Sequence, residues 1–95
     1  MNPDANILTL IRTSFPDRDE LIEHTFRQSE SFRSVCEDYR ECMAALESWK
    51  QRETAEAPLR RREYEELLVE LGREIQIRLE ALEIGGAPEA DTDRE

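Results

Sequence analysis

His24, Cys36 and Cys42 are the residues of this chain whose types could bind a metal ion or react as nucleophiles. Glu20 lies four residues before His24, and on a helix this spacing places both side chains on one face, where they could share a metal. No third ligand lies near them in the sequence, and protein metal sites need three or four ligands. The sequence therefore predicts no metal site, and we interpret the two residues as an ordinary surface pair.

The two cysteines lie in a helical pattern, six residues apart. That spacing separates them by about 120° around a helix and about 9 Å along it, too far for a disulfide between them. A reactive cysteine needs electropositive surroundings, but Glu37 and Asp38 are acidic neighbours that raise a thiol pKa. We expect reduced thiols that pack as small apolar side chains. A metal- or redox-responsive regulator that uses His24, Cys36 and Cys42 remains the alternative hypothesis.

The motifs of the common enzyme classes are missing from the sequence. It contains no Gly-rich phosphate loop, no nucleophile with a base and an orienting group, and no carboxylate pair in an obvious cleft. A helical domain this small also has little room for a water-excluding pocket. The sequence predicts a protein with no catalytic residues, no cofactor and no enzymatic activity.

The charge of the 95-residue chain excludes two classes of partner. Its formal net charge is −10, whereas binding to nucleic acid or to an anionic membrane surface needs clustered Lys and Arg. No apolar run is long enough for a bilayer span, and the first residues lack the basic and continuously apolar regions of a signal peptide. We expect a cytoplasmic protein that binds neither nucleic acid nor membranes.

One stretch reverses the acidic balance and is the candidate interaction surface. Basic residues flank the loop between the two longest predicted helices, and a tryptophan suited to interfaces lies beside them. These residues are Trp49, Lys50, Arg52, Arg60, Arg61 and Arg62. They could receive an acidic segment of another protein, or the acidic helix start of a second copy. The alternative is a solvated face partly neutralised by Glu53, Glu56 and Glu63, since exposed charges contribute little.

Helical periodicity organises the chain into an all-α fold. The longest predicted helices, about 30–51 and 58–84, carry apolar residues in the alternating three-and-four spacing of a coiled-coil seam. A short loop between two long helices makes them antiparallel neighbours, so the sequence predicts a helical hairpin. Shorter helices are predicted over about 3–13 and 17–28. We expect one helical domain over residues 1–84 and a disordered acidic tail over 85–95.

Local signals predict the helix ends and the register. Asp17 with Glu20 resembles a capping box, and Ser29 favours a restart between two helices. Pro58 suits a first helical turn. Gly72 lies inside the last helix, where glycine lowers helix stability. Either a neighbouring helix approaches closely at this position or the loss of stability is tolerated. A turn centred near Thr54 would place Tyr39 near Leu71 and Cys42 near Leu67.

The two short helices carry more apolar side chains than one hairpin has surface to cover. These side chains are Ile7, Leu8, Leu10, Ile11, Phe15, Leu21, Ile22 and Phe26. They either fold back on the hairpin or pair with a second chain. Since small chains often remedy a small core by association, we predict a homodimer that serves as a structural or protein–protein interaction module.

The arrangement of Phe15-Pro16 before Leu21-Ile22, followed by Phe32 and by Glu37-Asp38-Tyr39, resembles the YdcH-like family of small bacterial proteins. The resemblance covers about residues 15–82. It implies a helical hairpin and a bacterial cytoplasmic setting. The family has no settled biochemical activity, so the resemblance implies no catalytic or binding residue.

Overall fold

Four α-helices make up the fold, and the computed structural model describes residues 3–83, with side chains from Ala5 onward. The helices are α1 (Pro3–Ser14), α2 (Asp19–Gln28), α3 (Glu30–Lys50) and α4 (Ala57–Glu83). No strand occurs among the described residues, so the predicted all-α class is confirmed. The predicted tail over 85–95 lies outside the described residues.

Helices α2 and α3 are separated by a single residue, Ser29, where the sequence predicts the restart between two helices. The Ser29 hydroxyl accepts a hydrogen bond from the Phe32 amide at 3.1 Å and so caps α3. The Ser29 amide donates to the Thr25 carbonyl at 2.9 Å, so the same residue also ends α2. Ser29 is buried, and this junction therefore fixes the angle between the two helices without leaving its polar atoms unpaired.

The capping box predicted at Asp17 and Glu20 is wrong. Helix α2 begins at Asp19, its N-cap residue is Arg18, and no side chain caps it. Asp17 instead has a φ of 74°. Aspartate tolerates this left-handed conformation better than most residues, so Asp17 reverses the chain after Pro16 and cannot also occupy the cap position. The acidic first turn of α2 still complements the helix dipole.

Helices α3 and α4 form the predicted antiparallel hairpin, joined by residues 51–56. The Ala57 amide donates to the Thr54 carbonyl at 3.2 Å, and Pro58 follows in the first turn of α4. The register agrees with the prediction near the middle, because Tyr39 lies against Gly72, next to Leu71. Nearer the far end, the Arg78 guanidinium donates to the Ser31 hydroxyl at 3.0 Å.

The N-terminal helices fold back on the hairpin, the first of the two predicted ways of covering their apolar side chains. Their inward residues join those of α3 and α4 in a single core cluster. Its buried members are Ile7, Ile11, Ile22, Phe26, Phe32, Cys36, Tyr39, Ile75 and Leu79. Burial of apolar surface contributes about 25 cal/mol per Å² to the free energy of unfolding, so this core cluster is the main source of stability.

Candidate functional site

The basic residues predicted as an interaction surface do lie around the hairpin tip, between the end of α3 and the start of α4. The Arg52 guanidinium stacks over the Trp49 ring, 4.5 Å from its centroid. Trp49 is half-buried, and Arg52 lies exposed in the loop. A cation over an indole face is the preferred cation–π geometry. This contact holds the Arg52 side chain against the end of α3.

Neighbouring carboxylates neutralise part of the tip. Arg60 pairs with Glu63 at 3.1 Å, and Lys50 lies 3.8 Å from Glu47. Arg62 is exposed and Arg61 is half-buried. Exposed pairs of this kind contribute little to stability. The tip therefore keeps a positive character that comes mainly from Arg52, Arg61 and Arg62.

A groove of about 400 Å³ runs between α3 and α4. Its floor is made by Cys42 and Ala45 of α3 and by Tyr64, Leu67 and Leu71 of α4. Cys42 is small, and its thiol donates a hydrogen bond to the Tyr64 carbonyl at 3.3 Å. The predicted proximity of Cys42 and Leu67 is confirmed, since both line this groove. Leu67 keeps 41% of its surface exposed, which marks the groove as open.

The N-terminal helices cover a different side of the hairpin. Phe15 packs on Tyr39, with ring centroids 6.0 Å apart, and lies beside Gly72. Helical geometry turns Leu67 and Gly72 about 140° apart around α4. The hairpin is thus covered on the side that carries Gly72 and open on the side that carries Leu67.

The rim of the groove is acidic. Asp38 and Glu41 line it on the α3 side. On α4, helical spacing places Glu70 and Glu74 in the row beside Leu67 and Leu71. Glu74 pairs with Arg78 at 3.0 Å, and Glu41 lies 4.0 Å from Arg40. No ion pair among the described residues engages Asp38 or Glu70, so the rim presents uncompensated negative charge.

A smaller pocket of about 150 Å³ lies where α2, α3 and the end of α4 meet. Phe32, Ile77, Ala81 and Leu82 supply its apolar lining. The Thr25 hydroxyl at its edge is buried and has no hydrogen-bond partner among the described residues. A buried hydroxyl without a partner costs roughly 1–3 kcal/mol.

Both cysteines are free and buried. Burial raises the pKa of the Cys36 thiol to about 12, and the nearby Arg78 offsets only part of this effect. Burial also raises the pKa of Cys42. A thiol with a raised pKa is a poor nucleophile at neutral pH because the thiolate is the reactive form. The geometry therefore agrees with the packing role expected for both side chains.

His24 and Glu20 are exposed on α2. Among residues 3–83, no group of three or more His, Cys, Asp and Glu side chains is placed to hold a metal ion. The structure brings neither cysteine to His24, since Cys36 is buried in the core and Cys42 lies in the groove.

No protein-family model, curated protein or solved structure matches the chain. The resemblance to the YdcH-like family therefore stays a prediction. No helix within residues 3–83 is both long and apolar enough to cross a bilayer.

Sequence reasoning found the basic tip but missed the groove. The periodicity of α3 and α4 predicts which side chains face each other across the hairpin. It does not say which side of that pair α1 and α2 cover. The available signal was the small residues Cys42 and Ala45, which leave space between the helices, next to the acidic Asp38 and Glu41.

Proposed function

We propose that this protein is a small, non-catalytic bacterial protein–protein interaction module that acts as a homodimer. One observation carries the proposal: α1 and α2 cover only one side of the α3–α4 hairpin, which leaves apolar side chains of α4 exposed. The reduced thiols and the YdcH-like resemblance further support a place in the bacterial cytoplasm. The basic tip, with Trp49 and Arg52 stacked, is suited to an acidic segment of another protein.

The exposed surface of α4 around Val69 is the surface we assign to self-association. Leu59, Val69 and Ile77 keep 58%, 61% and 57% of their surfaces exposed. Leu59 and Ile77 lie on one line along the helix, because eighteen residues make about five turns. Scattered exposed apolar residues are common. Val69 lies about 80° around the helix from the line of Leu59 and Ile77, and Ile77 also borders the pocket between α2, α3 and α4, so we place Val69 at the centre of the contact.

The charges beside Val69 are compatible with a two-fold axis. Glu66 and Arg73 are both exposed and flank Val69 on α4. An antiparallel second copy centred close to Val69 would place Val69 against Val69 and Glu66 opposite Arg73. Opposite charges across a contact set its orientation, and an isologous contact of this kind closes at two chains.

Sedimentation equilibrium of the full chain tests self-association. We expect a dimer mass at high micromolar concentration. Val69→Glu should give a monomer, because a two-fold axis would bring the two new carboxylates together. Ala44→Glu is the matched control, since Ala44 is exposed on α3, and its mass should equal that of the wild type. A wild-type chain that stays monomeric throughout, or a dimer unaffected by Val69→Glu, would contradict the assignment.

The alternative function, a metal- or redox-responsive regulator using His24, Cys36 and Cys42, has less support. The raised thiol pKa values disfavour oxidation through a thiolate. The three side chains also lie in separate places: a surface, the core and the groove.

A further inference from the structure

We propose that the open groove between α3 and α4 binds a basic amphipathic helix of another protein. The groove is the one lined by Asp38, Glu41, Cys42, Ala45, Tyr64, Leu67 and Leu71. This inference goes beyond self-association, because it assigns a different face of the hairpin to a different partner.

The shape of the groove suits a helix. It lies between two antiparallel helices, and its α3 side presents the small residues Cys42 and Ala45. The axes of packed helices lie about 8–10 Å apart, and the side chains at the contact set this distance. Small residues on α3 let a third helix approach closely, and Leu67 and Leu71 offer it an apolar floor. Helix-in-groove binding uses apolar anchors three and four residues apart.

The charge of the rim selects a basic partner. Asp38 and Glu70 carry no ion pair among the described residues, and Glu41 has only the 4.0 Å approach of Arg40. Arg60 pairs with Glu63, and Arg78 pairs with Glu74. Arg61, one turn before Tyr64, is the cation at the tip end of the groove that no ion pair among the described residues engages. Lys or Arg on the two flanks of an incoming helix would meet this charge at both rims and would steer its approach.

The same charge argues against the two occupants that the chain itself could supply. Residues 84–95 carry four acidic side chains against one arginine and contain one large apolar residue, Ile84, so they would meet the rim with like charge. A second copy that presented its own groove would bring Asp38 and Glu70 of one chain towards those of the other. Like charges across an interface suppress a pairing.

Binding of two synthetic helical peptides to the full chain tests the proposal. Both have eighteen residues and the same leucine stripe, with lysines on the polar face of one and glutamates on that of the other. Isothermal titration calorimetry should show saturable binding of the leucine–lysine peptide and none of the leucine–glutamate peptide. Binding should weaken as salt is added, because exposed charges are screened.

Two pairs of matched variants locate the site. Leu67→Ser should weaken binding about tenfold, as expected for an apolar anchor, and Val69→Ser should leave it unchanged because Val69 lies outside the groove. Asp38→Asn with Glu70→Gln should weaken binding and reduce its salt dependence. Glu20→Gln with Glu65→Gln removes the same charge from exposed positions, one on α2 and one on the side of α4 opposite Leu67, and it should have little effect.

Several results would overturn the proposal. These are no saturable binding of the leucine–lysine peptide, equal binding of both peptides, or equal effects of Leu67→Ser and Val69→Ser. A dimer mass lost on Leu67→Ser would assign the groove to a second copy. Circular dichroism of each variant confirms folding. The self-association proposal is tested independently of the groove, because Val69→Glu should abolish the dimer and leave peptide binding intact.

Discussion

Gly72 shows how one residue relates local preference to packing. It lies in the middle of α4, where glycine lowers helix stability, and it faces Tyr39 and Phe15. A Cβ built there would lie 3.5 Å from Tyr39 Cε1 and 3.9 Å from Phe15 Cζ. These are ordinary van der Waals distances. Of the two explanations that the sequence left open, a close neighbour is present, but the space does not require glycine.

We therefore expect Gly72→Ala to stabilise the protein. The methyl group fits against Tyr39, and alanine favours the helix over glycine by about 0.5–1 kcal/mol. Urea unfolding followed by circular dichroism should show this gain in the free energy of unfolding. Gly72→Leu is the control: its side chain exceeds the space beneath Tyr39, so it should destabilise. A loss of stability in Gly72→Ala would mean that the aromatic pair cannot accept the added methyl.

At the scale of the elements, the sequence predicted all four helices and the hairpin because their signals are strong and local. The seams of α3 and α4 extend over many turns, and Ser29 and Pro58 have fixed preferences for helix starts. The predicted start of α2 was wrong because Asp17 can serve either as a helix cap or as a left-handed turn residue. The chain reversal after Pro16 requires the second of these. The groove depends on how α1 and α2 dock, which periodicity alone does not specify.

The junction at Ser29 makes a prediction about α2 and α3. Ser29→Ala removes the hydroxyl that accepts from the Phe32 amide, and loss of a serine N-cap costs about 1 kcal/mol, within a range of roughly 0.5–2. Chemical denaturation should report this loss. Ser34→Ala is the matched control, because Ser34 is exposed inside α3 and alanine is the better helix former. Equal stabilities of the two variants would show that the Ser29 cap is not needed.

Over the whole molecule, a contact distant in sequence joins the N-terminal part to the end of the hairpin. Arg18 donates two hydrogen bonds to the Glu83 carboxylate, at 2.7 and 3.0 Å. The hydrogen bond from Arg18 lowers the pKa of Glu83, and the same bond raises the pKa of Arg18. The linker before α2 is thereby tied to the last described turn of α4.

The lowered pKa of Glu83 gives this tie a pH dependence. The ionised carboxylate stabilises the fold above the ordinary carboxyl pKa, and that contribution is lost as the pH falls through the lowered value. Glu83→Gln should therefore lower Tm slightly at about pH 7, and the difference from the wild type should vanish in acid. Thermal unfolding across pH measures both, with Glu65→Gln as the unpaired control. A deficit that persists unchanged in strong acid would contradict the assigned cause.

The complete burial of Cys36 among α3, α4 and the N-terminal helices has a practical consequence. In a Cys42→Ser background, Cys36 is the one thiol left in the chain, and a labelling reagent can reach it only after the surrounding helices separate. Its modification rate would then count spontaneous openings of the native protein, in the way that slow amide exchange does. The native Cys36 thiol can therefore report transient unfolding without an attached dye.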